Sequence, residues 1–245
     1  MIYRFISSIN HLTETRRKVF LIGLFLAILI AIKEVIGLSY NNFQIFSFAS
    51  HDFWTGINPY TDWNHLSPKG RPLDNFLYGP LYSILFTPFT FLPDWLGVIC
   101  WNIFTYTLFF FSIFTLPNQI NFAGKKFIFF YSLLLLLATL LSVQFNPVVA
   151  ALFLFSFTLL EKNHGFWAVL LILLSGFTKV YGIFQIAMIV FYPGFLKNVL
   201  YAFLIGILFL LLPLIHIPAN ELAMYYQSWI MKVIDHSEAL HRFSI

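Results

Sequence analysis

Apolar residues in this chain come in long runs separated by short polar knots. The first run covers about 18–38, directly after Arg16 and Arg17. A second, 95–116, carries Trp95 and Trp101 near its start. Two pairs follow: 127–143 with 147–160, around "SVQFNPVVAAL", and 166–177 with 180–192, around Lys179. A last run occupies about 199–217. Near-continuous apolar stretches approaching ~20 residues predict helices long enough to cross a bilayer core. The segment 78–93 differs. It is short, carries Pro80, Pro88 and Pro93, and predicts a helix that does not fully span. The polar stretches are 39–77, 118–126, 161–165, 193–198 and the tail 218–245.

Composition supports the pattern. Hydrophobic residues make up 60% and charged ones 10%, and the mean hydropathy is +0.82. A soluble domain is nearer half apolar and a quarter charged, so the expected class is an all-α membrane protein. We read a polytopic bundle of about 7–8 membrane segments with a long first outer loop. The net charge of +4 comes from basic residues at helix ends, with no basic face, which argues against nucleic acid as a partner. The single cysteine, Cys100, permits no intrachain disulfide and reads as a small buried hydrophobe.

Arginine and lysine before the first run predict a cytoplasmic N-terminus over 1–17 and an uncleaved first helix. Lys125 with Lys126, Lys162, and Lys197 mark connections on the same side. The loop 39–77, the "VQFNP" turn, the Lys179 turn and the tail 218–245 then share the opposite, extracytoplasmic side. The membrane domain is accordingly 18–217. This parity works if 78–93 returns to the side it left; the alternative is that the lysine signals are weak and the sides invert.

No phosphate-binding glycine loop, HExxH or GxSxG occurs. No Asp/His spacing suggests a metal, and no cofactor is expected. What remains is a loop rich in carboxylates and aromatics, and polar groups inside apolar runs. A sugar on a membrane lipid must meet its acceptor at the membrane boundary. One carboxylate there can take an acceptor proton, and Lys, Gln and backbone N–H groups can hold a phosphate. Asp74, Asp52 and Asp62 are the candidate bases, against the commoner role of loop carboxylates as caps. Lys179, within an apolar stretch, is a candidate phosphate ligand. Gln144 and Asn146 either line a site or cap two helix ends. His65, His236 and His241 are weaker candidates. A transporter or an assembly subunit is the non-enzymatic alternative, although the paired broken helices resemble a transporter's only weakly.

"NNFQIFSFASHDFWTGINPY", "DNFLYGPLYSILFTPFTFLPDWLGVICWN" and "SVQFNPVVAALFLFSFTLLEKNHGFWAVLLILLSGFTKVYGIF" together resemble glycosyltransferase family 87. The likeness covers about 40–190, in order along the chain. It implies the GT-C architecture and a multi-pass protein of the bacterial inner membrane. It also implies transfer of a mannosyl- or arabinofuranosyl-like sugar from a polyprenyl-phosphate donor to a glycolipid or glycan acceptor outside the cytoplasm. Asn42, Tyr78, Gln144, Asn146 and Lys179 become the implied substrate-binding residues. Two departures stand out. Asn41 or Asn42 occupies the position where the family's loop begins with Asp, and an amide cannot act as a base. The chain is also shorter than is usual for the family, which implies a shortened, truncated or inactive member.

Overall fold

In the computed structural model residues 14–243 are described, with side chains as far as Ser237. The segment 1–13 and the side chain of His241 lie outside them. The described residues are helical and irregular, without a strand. The helices are α1 Arg16–Ile36, α2 Asn41–Thr55, α3 Pro80–Thr90, α4 Asp94–Phe114, α5 Phe122–Leu141, α6 Asn146–Glu161, α7 Gly165–Thr178, α8 Phe195–Leu211 and α9 Leu222–Phe243. A 3-10 helix, Val180–Phe191, follows α7, and a short one, Leu212–Ile215, extends α8.

Four spans are long and apolar enough to cross a membrane: α1, α4, α5 and Phe195–Ile215. Of these, α4 is the central one. Over half of its most apolar window is buried, at 56%, against 28% in α1 and 22% in α5. The outward faces of α1, α5 and α8 carry Phe25, Leu134, Leu135, Leu196 and Phe203, all exposed. Lipid is the solvent in which such a surface is stable, because away from their ends these helices pair their backbone groups within themselves.

The bundle has two ends with different chemistry. At one end Arg16 lies over the rings of Phe111 and Phe114, Lys125 donates to the carbonyl of Leu116, and Tyr192 donates to Glu161 at 2.6 Å. The Lys162 and Lys197 connections belong to this end. At the other lie α2, the 142–146 turn, Lys179 and α9. There Trp229 Nε1 of α9 donates to the carbonyl of Leu77 at 3.2 Å. Apolar elements α1, α4, α5, α6, α7, the long 3-10 helix and α8 run between the ends. Helix α3, of 11 residues, is about 16 Å long at 1.5 Å per residue, half a bilayer core. It returns the chain to the end it left: Gln44 of α2 donates to Asp94 at the start of α4.

The segment 39–77 is not loop throughout, as its polarity suggested. Its first part is α2, which buries Phe43, Phe46, Ala49 and Phe53 against α3, α4 and the 143–152 stretch. Gly97 of α4 lets the Phe43 ring approach, because a Cβ there would collide with it. Gly56, with φ +78°, ends α2 in the left-handed region that glycine enters freely.

Candidate functional site

The polar knot after α5 is built by the backbone. Gln144 N–H reaches back to the carbonyl of Thr139 and Val143 N–H to that of Leu140, a Schellman closure. The left-handed position of that closure usually takes glycine. Here it is Val143, at φ +50°. A β-branched residue in that region is strained by roughly 1–2 kcal/mol. Full burial of Val143 holds it there, and the neighbouring Ser142 carbonyl is bound by Asn42 Nδ2 at 2.6 Å.

The amides of Gln144 and Asn146 do not cap the adjoining helices. Neither α5 nor α6 has a side-chain cap from them. Instead Asn146 Nδ2 donates to Gln144 Oε1 at 2.8 Å. Asn146 Oδ1 accepts from Lys179 Nζ at 2.7 Å and from Tyr181 Oη at 2.7 Å. Lys179 also donates to Tyr78 Oη at 3.3 Å and lies over the Tyr78 and Tyr181 rings, 4.9 and 5.1 Å from their centroids. Four of the five residues expected to bind substrate, Tyr78, Gln144, Asn146 and Lys179, thus form one contiguous cluster. The fifth, Asn42, joins it through Ser142.

Close backbone packing assembles the cluster. Gly79 N–H donates to the carbonyl of Thr178 at 3.0 Å, and a Cβ on Gly79 would overlap the carbonyl oxygen of Phe177. Only glycine lets the 78–79 backbone lie against the end of α7, which sets the Tyr78 ring beside Lys179. On the other side, Gly182 sits against Ser175 with no room for a side chain, so the 3-10 helix folds tightly onto α7. Gly79→Ala is expected to lower stability by about 1–3 kcal/mol through overpacking and to separate Tyr78 from Lys179. Thermal unfolding in detergent checks the first effect, and quenching of Tyr or Trp fluorescence by an anionic lipid probe checks the second.

Lys179 has extended backbone, φ −140° and ψ 118°, and lies in the connection between the apolar elements. Burial pulls its ammonium down to about 8, so it stays a cation at neutral pH while shedding part of its water. Its hydrogen-bond partners are neutral: a phenol and an amide. Among the described residues this half-buried cation has no carboxylate partner, which makes it a candidate for holding an anion.

An apolar cavity of about 330 Å³ lies between α3, α4, α6 and α7, lined by Tyr82, Phe86, Trp101, Phe145 and Leu174 among others. Tyr82 and Phe145 both pack on Tyr78. The cavity therefore abuts the Lys179 cluster.

The carboxylates separate clearly. Asp52 is 1% exposed. Its Oδ2 is 2.7 Å from His65 Nε2, and its Oδ1 has no hydrogen-bond partner. His65 is itself fixed by stacking on Phe48, with ring centroids 4.3 Å apart. Asp52 and His65 line a cavity of about 800 Å³ with His51, Trp54, Thr87 and Phe91. By contrast, Asp62 is exposed and, among the described residues, its side chain accepts only from Thr61. Asp74 is exposed and has no hydrogen bond or ion pair among the described residues. His236, on α9, is likewise without a partner there. Asp52 does not join the Lys179 cluster. It borders the Thr87 flank of α3, whereas Tyr78 precedes the first residue of that helix. Among the described residues no group of three or more His, Cys, Asp or Glu side chains could hold a metal.

Sequence reasoning missed Tyr181 and the Asp52–His65 pairing. Extended backbone at Lys179 brings Tyr181, two positions on, over the same ammonium, a relation that helical spacing would not suggest. Tyr60, Phe76 and Tyr225 also went unnoticed; they form the aromatic floor under the loop, where Tyr60 Oη donates to the Tyr78 carbonyl at 2.7 Å.

The family model for Glycosyltransferase family 87 matches residues 76–241, the greater part of the chain. No curated protein and no solved structure matches it.

Proposed function

The chain belongs to glycosyltransferase family 87, and from that premise we propose that it moves a sugar from a polyprenyl-phosphate donor to a glycolipid or glycan acceptor at the end of the bundle that carries α2 and Lys179. The observation that carries this reading is the Lys179 cluster: a half-buried cation bound only by neutral groups and adjoining an apolar cavity. The donor's phosphate lies on Lys179 and Tyr181, and the first isoprene units enter the cavity between α3, α4, α6 and α7. The positive-inside pattern of Arg16, Lys125, Lys162 and Lys197 favours the outer side of a bacterial inner membrane for this end, with a GT-C arrangement of the multi-pass bundle.

For the base we take Asp52 over Asp62 and Asp74, because it alone is buried, held by a histidine and facing a cavity that could admit an acceptor. The acceptor hydroxyl gives its proton to the Asp52 carboxylate. Its oxygen bonds to the anomeric carbon as the carbon–oxygen bond to phosphate breaks. The phosphate leaves with the electron pair, and the anomeric centre inverts. The test is transfer of labelled mannose or arabinofuranose from synthetic short-chain polyprenyl phosphates by the purified full chain. Donor consumption no faster than in a no-enzyme blank would reject the reading.

A second reading has its own observation. Asn42, where the family's acid would stand, lies by the donor cluster, while Asp52 faces a different cavity. On this reading the chain binds the donor without transferring the sugar. Asn42→Asp separates the two. The Ser142 carbonyl presents an acceptor to position 42, so a carboxylate there faces a carbonyl oxygen in place of a donor. On the first reading this variant loses stability by about 1–3 kcal/mol and gains no turnover. A gain of transfer on Asn42→Asp would establish the second.

A further inference from the structure

At the opposite end of α7 a third cavity, of about 470 Å³, opens between the α6–α7 connection and the start of α8. Helix α7 has 14 residues, so this cavity lies about 20 Å from the Lys179 cluster. Two helix N-termini converge on it. His164 precedes α7 and Gly194 precedes α8, and neither helix has a side-chain cap. The first turns of both helices line the cavity, so their uncapped N–H groups and the positive ends of both helix dipoles lie at it. Lys197 and His164 line the same cavity.

A buried polar group points the same way. Asn198, on the first turn of α8, is 4% exposed and lines the cavity. Its side chain makes no hydrogen bond among the described residues. Its amide lies against Gly165, where a Cβ would strike Asn198 Oδ1. An amide so covered, open only toward the cavity and without a protein partner, leaves its hydrogen-bonding groups for a molecule that enters there. The carboxylate of Glu161, at the end of α6, is engaged by Tyr192 Oη at 2.6 Å. Trp167, Phe166 and Tyr201 complete the wall, and Phe195 and Leu196 are exposed beside it. Such rings suit the headgroup level of a bilayer.

We propose that this cavity binds the phosphate of a membrane phospholipid headgroup, held by the N-termini of α7 and α8, Lys197 and Asn198. The site is independent of the donor cluster. Bound phospholipid braces the 3-10 helix against α7 and α8 from the end remote from Lys179.

The experiment uses the purified full chain. Its thermal unfolding is followed with short-chain phosphatidylglycerol, short-chain phosphatidylcholine or sodium phosphate, and retained lipid is counted by native mass spectrometry. Phosphatidylglycerol is expected to raise the unfolding temperature and to be retained over phosphatidylcholine. Lys197→Gln, an exposed change that leaves the fold intact, weakens this roughly fivefold, the contribution of one surface lysine. Asn198→Asp, nearly isosteric, abolishes it. Lys179→Met leaves it unchanged. Stabilisation by sodium phosphate that is lost in the same variants, without lipid retention, keeps the phosphate site and assigns its source to the free anion. Equal retention of both lipids, or a wild-type response in Lys197→Gln and Asn198→Asp alike, overturns the proposal.

Discussion

Lys179→Met lowers sugar transfer by about a hundredfold or more, with most of the loss in kcat. The size follows from what removing one preorganised donor to a developing oxyanion usually does, about 10²–10³. The location of the loss follows from charge. A polyprenyl-phosphate sugar is a phosphodiester with one negative charge, and the departing polyprenyl phosphate carries a second as the sugar leaves. The Lys179 ammonium interacts more strongly with the transition state than with the bound donor, so its loss appears in kcat before KM. Methionine keeps the length and much of the volume of the side chain, and the Tyr78 and Tyr181 rings can pack on it. The variant should therefore unfold near the wild-type temperature. Initial rates over a range of labelled donor check the prediction. A kcat within threefold of wild type would remove Lys179 from the leaving-group role, whatever happened to KM. Lys179→Arg should recover part of the rate, limited by a fork that cannot reproduce one short bond to Asn146.

The residues of this cluster were legible in the sequence because of the solvent. In an apolar run every polar side chain lacks water, so Gln144, Asn146 and Lys179 each demanded a partner. That they partner one another required the fold, since they come from two hairpin tips that α6 and α7 hold together. The parity of lysine-bearing connections foretold the two chemically distinct ends and a short α3, because it depends only on how many segments span. Helix α2 was not legible. Its buried face mixes Phe43, Phe46 and Phe53 with Gln44, Ser50 and Asp52, so the stretch reads as polar loop although most of it is covered. The long 3-10 helix was equally hidden. Its twelve residues rise about 24 Å at 2.0 Å per residue, which lets a short segment run the length of α7. It packs closely on α7 at Gly182 against Ser175, and no periodicity announces it. The burial of Asp52 was hidden for a similar reason: it depends on His65, on the Phe48 ring behind it, and on α3. Asp74, just before "FLYGP", is exposed instead.

Asp52→Asn is expected to reduce kcat by about 10²–10⁴, the range for loss of a positioned base, while donor binding is retained. The substitution preserves shape, and His65 can still donate to the remaining oxygen. It replaces Oδ1, which makes no hydrogen bond and has His51 Nδ1 3.8 Å away, with a buried NH₂ lacking an acceptor within hydrogen-bond distance among the described residues, which costs about 1–3 kcal/mol. A lower unfolding temperature alone therefore says nothing about catalysis, and two comparisons separate the roles. Asp62→Asn and Asp74→Asn change exposed carboxylates and should transfer sugar at close to the wild-type rate. His65→Gln removes the ring that orients Asp52 while leaving a hydrogen-bond donor, so it should lower kcat by less than Asp52→Asn. If Asp52 only braces the loop, Asp52→Asn and His65→Gln will lower stability together and leave kcat of the folded fraction intact. That outcome would hand the base to another group. It would also strengthen the reading in which Asn42, standing beside the donor cluster without a carboxylate, marks a chain that holds the lipid-linked sugar and does not transfer it.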